Sequence, residues 1–137
     1  MRHITDIIIH CSATTEGRDI GTATLRHWHL ERGFQDIGYH YIIRLNGTIE
    51  QGRPIEQTGA HCANHNRNSI GICYVGGLAR NGQPKDTRTP GQRQALEKLC
   101  RQLLRRFPDA TIHGHNEYAA KACPCFDVQQ WRKEVKL

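Results

Sequence analysis

Three stretches of this chain hold residue types that bind metals. His10 closes an apolar run, and His113 and His115 stand two apart in Thr111-Ile112-His113-Gly114-His115-Asn116-Glu117. Cys123 and Cys125 follow eight and ten residues after His115. Two imidazoles and one thiolate suit zinc, and three protein ligands leave a fourth position for water, the mark of a catalytic site. The spacing is not that of two paired C-x-x-C motifs, so the residues alone leave two readings open. One is a metal centre. The other has a hydrogen-bonded His10 at a strand end and cysteines that act as small core hydrophobes. Tyr39 and Lys121 gain meaning beside a metal, where a phenol or ammonium can orient water, pass a proton or offset a developing oxyanion. Taken alone, Tyr39 suits a half-buried strand and Lys121 a solvated loop.

These residues need elements to position them. His3 to His10, with Ile4, Ile7, Ile8 and Ile9, reads as a buried strand. A helix is expected from about Thr22 to Arg32, stopped by Gly33. Tyr39 to Leu45, the turn Asn46-Gly47, and Thr48 to Gln51 read as a hairpin. Ser69 to Val75 is a second buried strand, ended by Gly76-Gly77, and Leu78 to Thr89 is a polar surface loop. Thr89 caps a helix with Pro90 at its first position. In that helix Leu96, Leu99, Cys100, Leu103, Leu104 and Phe107 recur at three- and four-residue spacing. Thr111 to His113 reads as a short strand, and Asp127 as the cap of a last helix from Val128 to Val135. Alternating strands and helices give an α/β class: a mixed central sheet flanked by helices, with strand ends presenting ligands at the sheet rim.

The 137 residues fit one domain, residues 1–137, with one core. A 37% hydrophobic content supports a folded chain, and a formal charge of +6 suits a polyanionic partner. Basic residues are scattered apart from Arg101, Arg105 and Arg106, and aromatics are 7%, so a nucleic-acid binder ranks last. No run approaches the roughly 18 apolar residues of a membrane span. Residues 1–9 do not read as a signal peptide. The expectation is therefore synthesis in the cytoplasm with the six cysteines reduced or metal-bound. Cys11, Cys73 and Cys100 read as core positions and Cys62 as an exposed loop position. Trp28 and His29 read as packing residues of the first helix, with groove lining the lesser alternative.

Several segments then stand in a telling order: Ile8-Ile9-His10-Cys11-Ser12-Ala13, Arg26-His27-Trp28-His29, Asp36-Ile37-Gly38-Tyr39-His40-Tyr41-Ile42-Ile43 and Asn46-Gly47-Thr48. Gly59-Ala60-His61, Asn68-Ser69-Ile70-Gly71-Ile72, Gly114-His115-Asn116-Glu117 and Lys121-Ala122-Cys123-Pro124 follow. From about Ile4 to Trp131 the chain resembles the type-2 N-acetylmuramoyl-L-alanine amidases, a family that includes small phage endolysins and the peptidoglycan recognition proteins. The resemblance implies a zinc site of His10, His115 (not His113) and Cys123, with Tyr39 and Lys121 as catalytic groups. It implies substrate contacts from His40, His61 and, more loosely, Asn68, with a supporting or structural role the equal alternative for each. The activity implied is metal-assisted hydrolysis of the amide between the lactyl group of N-acetylmuramic acid and L-alanine in peptidoglycan. The alternative is a recognition module that binds peptidoglycan without cutting it. Such members typically lack the cysteine ligand, which this chain has. The expected setting is a phage or prophage endolysin, monomeric, acting on the cell wall after release. Cys125 stands where some relatives have Ser and could compete for zinc. The fixed φ of Pro124 makes binding through both sulfurs awkward, so Cys123 is the expected ligand.

Overall fold

A computed structural model describes residues 2–137. Its Ile-rich first strand, β1 (Asp6–Cys11), is followed by β2 (Thr14–Thr15), α1 (Thr22–Glu31), β3 (Tyr41–Ile43) and β4 (Ile49–Gln51). Then come β5 (Ser69–Tyr74), β6 (Gly77–Leu78), α2 (Pro90–Arg106), β7 (Thr111–Gly114), a 3-10 turn (His115–Glu117) and α3 (Val128–Glu134). The main sheet runs β4-β3-β5-β1-β7. Its pairs are parallel except for the expected β3–β4 hairpin. The mixed sheet flanked by helices is as expected, and no helix of the described residues is long and apolar enough to cross a membrane.

The β1 and β5 runs are continuously apolar because both faces of the sheet are covered. Period-2 alternation sends Ile7, Ile9, Ile70, Ile72 and Tyr74 towards Leu96, Leu99 and Leu103 of α2 and Trp131 of α3. Cys73 and Val75 face the other way, with Leu25 of α1 and Ile37. His10 lies on this second face, where the loops between α1 and β5 form the cover.

The segment expected to be a loop after β5 holds more structure than its polarity suggests. β6 pairs in parallel with β2 through Thr14–Gly77 and Thr15–Leu78. Arg88 is buried, its Nε and Nη2 donating to the two carboxylate oxygens of Asp86 at 2.9 and 3.0 Å and its guanidinium 3.4 Å from the Phe126 ring centroid. Pairs of two residues and a guanidinium sheltered by a distant aromatic ring leave no local periodicity to read.

The α2 cap ties that helix to the sheet. Thr89 Oγ1 accepts from Gln92 N, and Gln92 Oε1 accepts from Thr89 N, a reciprocal capping box. The Gln92 side chain is fully buried, and its Nε2 also donates to the backbone oxygens of Val75 (2.9 Å) and Ile43 (3.3 Å). Ile43 O keeps a second donor in Val75 N, whereas Val75 O and Thr89 N would lose these bonds. We therefore predict that Gln92→Ala lowers stability by about 2–4 kcal/mol in urea unfolding. A loss below about 1 kcal/mol would show that the side chain does not link helix and sheet.

Candidate metal centre and cleft

β1 and β7 are parallel neighbours whose register pairs Ile9 with Gly114. The next residues, His10 and His115, therefore leave the carboxyl ends of adjacent strands side by side, their ring centroids 4.5 Å apart. Such strand ends are where side chains distant in sequence converge. Cys123 arrives from the loop after the 3-10 turn. The Cys11 backbone N–H donates to its sulfur at 3.2 Å, and the buried Tyr74 hydroxyl donates to Pro124 O at 2.6 Å. Glu117 organises the base of this loop, accepting from Gly114 N and Gln129 Nε2 and bonding His113 Nδ1. His113 is held between Glu117 and Thr111 Oγ1, outside the ligand group.

One donor atom from each of His10, His115 and Cys123 lies within 4.8 Å of the other two, with His10 Nδ1 3.9 Å from Cys123 Sγ. Tetrahedral zinc, with bonds of about 2.0–2.3 Å, would hold such donors roughly 3.3–3.7 Å apart. A small inward movement meets that demand, and the two-nitrogen, one-sulfur set suits the metal. Burial, followed by the neighbouring His61, His115 and Lys121, holds the His10 pKa well below its ordinary value. Burial and then Lys121 lower that of His115. Both imidazoles are thus kept neutral, the form that binds metal. Cys125 lies outside the group, its sulfur 3.9 Å from Cys11 Sγ.

Behind His10 runs a buried polar chain. His10 Nε2 and His61 Nδ1 are 2.8 Å apart, and His61 Nε2 is 3.1 Å from Ser69 Oγ; a metal on His10 Nδ1 would make His10 Nε2–H the donor to His61 and leave His61 Nε2–H for Ser69. Burial, with the nearby His40 and His115, lowers the His61 pKa to about 3 and keeps its ring neutral. Gly71 makes room for this ring, since a Cβ there would stand 2.7 Å from His61 ring carbons.

The ligands open into a cleft of about 510 Å³ whose lining includes Ser12, His29, Arg32, Phe34, Tyr39, His61, Asn66 and Lys121. The Tyr39 ring is 5.2 Å from that of His10, and burial, then nearby thiols, push its phenol well above the usual tyrosine range. Of the three expected substrate contacts, only His61 lines the cleft. His40 is fully buried, its Nδ1 accepting from Gly71 N and its Nε2 bonding Gln57 O. Asn68 precedes β5 at the opposite rim of the sheet, its side chain donating to His3 O. Cys62 is buried rather than exposed, because Asn66 Oδ1 takes the backbone N–H groups of His61 and Cys62 and folds the loop inward. His29 does more than pack: its Nδ1 accepts from Gly38 N at 2.8 Å, which steadies the segment carrying Tyr39. Arg32, Phe34 and Asn66 were not readable as cleft residues from their spacing.

A histidine that orients a metal ligand typically contributes 10–100-fold to metal affinity. We predict that His61→Ala weakens zinc binding by that factor in chelator competition. Unchanged affinity in the folded variant would show that the His10–His61 bond does not orient the ligand.

The family model described as N-acetylmuramoyl-L-alanine amidase matches residues 1–126. The chain is 43% identical over 129 residues to the endolysin of Enterobacteria phage K11, covering 94% of this chain and 85% of that protein. It is 42% identical over 137 residues to the endolysin of Escherichia phage T7, covering 99% and 91%. Its fold is similar to that of the N-acetylmuramoyl-L-alanine amidase LysC from Clostridium intestinale, with a TM-score of 0.84 over 99% of this chain and 87% of that one. At 24% identity that last likeness is one of fold alone. A family match across most of the length, with relatives above 40% identity, shows that the chain belongs to the N-acetylmuramoyl-L-alanine amidase family.

Proposed function

We propose that this peptidoglycan amidase hydrolyses the bond between the lactyl group of N-acetylmuramic acid and the L-alanine of the stem peptide, using zinc held by His10, His115 and Cys123. The observation that carries the reading is the convergence of those three donors at the floor of an open cleft that also holds Tyr39 and Lys121. Zinc, when bound there, would polarise the scissile carbonyl and lower the pKa of a water towards about 7.

The other steps belong to the chain's own side chains. Lys121 is exposed at the cleft wall, where its ammonium offsets the negative charge that builds on the carbonyl oxygen as the amide is attacked. Tyr39 keeps its phenolic proton and can donate a hydrogen bond that orients the attacking water. His61 fixes the tautomer of His10 from behind, a role that leaves its ring little freedom to grip substrate. His40 and Asn68 support the loop and strand around it. Like the phage endolysins to which it is similar, the enzyme would act at the cell wall after release from the cytoplasm.

The test is mass spectrometry of purified muropeptides for free stem peptide beginning in L-alanine. Release should stop with chelator, return with zinc and be absent in Cys123→Ala. Cys125→Ser should keep zinc and rate within about twofold, since its sulfur lies away from the ligand group. No release by folded, zinc-loaded protein from any muropeptide would leave binding without cleavage as the function. Loss of zinc in Cys125→Ser would reassign the sulfur ligand.

A further inference from the structure

The far wall of the cleft carries a cation that hydrolysis leaves unused. α1 ends in two paired bonds, Gly33 N–H to Leu30 O and Phe34 N–H to His29 O, both 3.0 Å, with Gly33 at φ +91°. This is the Schellman stop, in which glycine takes the left-handed position. It folds Phe34 back against His29, ring centroids 4.9 Å apart, and leaves Arg32 as the capping residue with its guanidinium 5.0 Å from the Phe34 ring centroid. From there, steps of 5.4 Å from His29 to Tyr39 and 5.2 Å from Tyr39 to His10 lead to the metal ligands.

Arg32 is exposed and lines the cleft, and among the described residues no carboxylate pairs with it. The lining includes two cations, Arg32 and Lys121, and neither Asp nor Glu. A guanidinium resting on an aromatic face keeps its in-plane fork of N–H donors free, the geometry that takes a carboxylate through two parallel bonds.

We propose that Arg32 is a specificity-determining residue that binds a carboxylate of the stem peptide; this rests on the reading that the cleft takes peptidoglycan. The glycan beside the scissile bond is neutral, whereas the stem peptide carries free carboxylates beyond its L-alanine. An extended peptide advances about 3.3–3.6 Å per residue, so with the scissile bond over the metal ligands the stem peptide beyond its L-alanine can run along the cleft towards the wall that carries Arg32. Arg32 makes the same contact before and during the reaction, so it governs KM rather than kcat.

The experiment measures kcat and KM for wild type, Arg32→Gln and Arg32→Lys on muropeptides whose second or third residue bears a free carboxylate or its amide. Arg32→Gln should raise KM roughly tenfold on the free acid with kcat within about twofold, and should change neither on the peptide amidated at the recognised residue. Arg32→Lys should recover part of the loss by keeping the charge. The amide that erases the difference identifies the carboxylate. Equal KM for Arg32→Gln and wild type on every peptide would overturn the inference and leave the amidase reading standing. No release by wild type from any peptide would overturn both.

Discussion

The ladder between β1 and β7 decides where chemistry can happen in this fold. Because Ile9 pairs with Gly114 in parallel, both strands end at the same level and deliver His10 and His115 to the same point on the rim. A slip of one residue would send the His10 ring to the α2 face, among aliphatic side chains, with no partner for its nitrogens. The register is protected by the burial of both sheet faces: Ile7, Ile9, Ile70 and Ile72 are fully enclosed and cannot exchange faces with their neighbours without exposing apolar surface. The core and the candidate metal site therefore depend on one backbone alignment.

Around that alignment the chain adds polar constraints that a sheet alone cannot supply. His10 is oriented from behind by His61 and Ser69, Cys123 from the side by the Cys11 N–H, and Tyr39 through the His29 bond to Gly38. Each is buried or partly buried, where a hydrogen bond is strong and its loss expensive. The groups that would meet substrate, Lys121 and Arg32, stand at the exposed walls instead. Rigid ligands below and solvated cations above suit a site that fixes a metal and admits a bulky, anionic polymer.

Much of this was legible in the residues because the signals were local. The Ile runs, the Asn46-Gly47 turn, the Thr89-Pro90 cap and the Leu-rich face of α2 each act within a few residues, and the elements formed close to where those signals lie. The choice between His113 and His115 was not legible from spacing, since residues two apart on a strand share a face. The break into a 3-10 turn at His115, and the capture of His113 by Glu117, separate them; the family motif had singled out His115. The parts that escaped are non-local. The burial of Cys62 depends on Asn66, that of Arg88 on Phe126, and the placement of Arg32 in the cleft on how a helix end meets Tyr39. For His40 and Asn68 the structural alternative fits the geometry: one is enclosed by Gly71 and Gln57 and the other sits at the far end of β5.

X-ray absorption at the zinc edge of the metal-loaded protein tests the central claim most directly. The account predicts one sulfur near 2.3 Å and nitrogen or oxygen neighbours near 2.0–2.1 Å, two of them imidazoles, with four neighbours in all. Two sulfur neighbours, or fewer than two imidazoles, would contradict a centre built from His10, His115 and Cys123 alone.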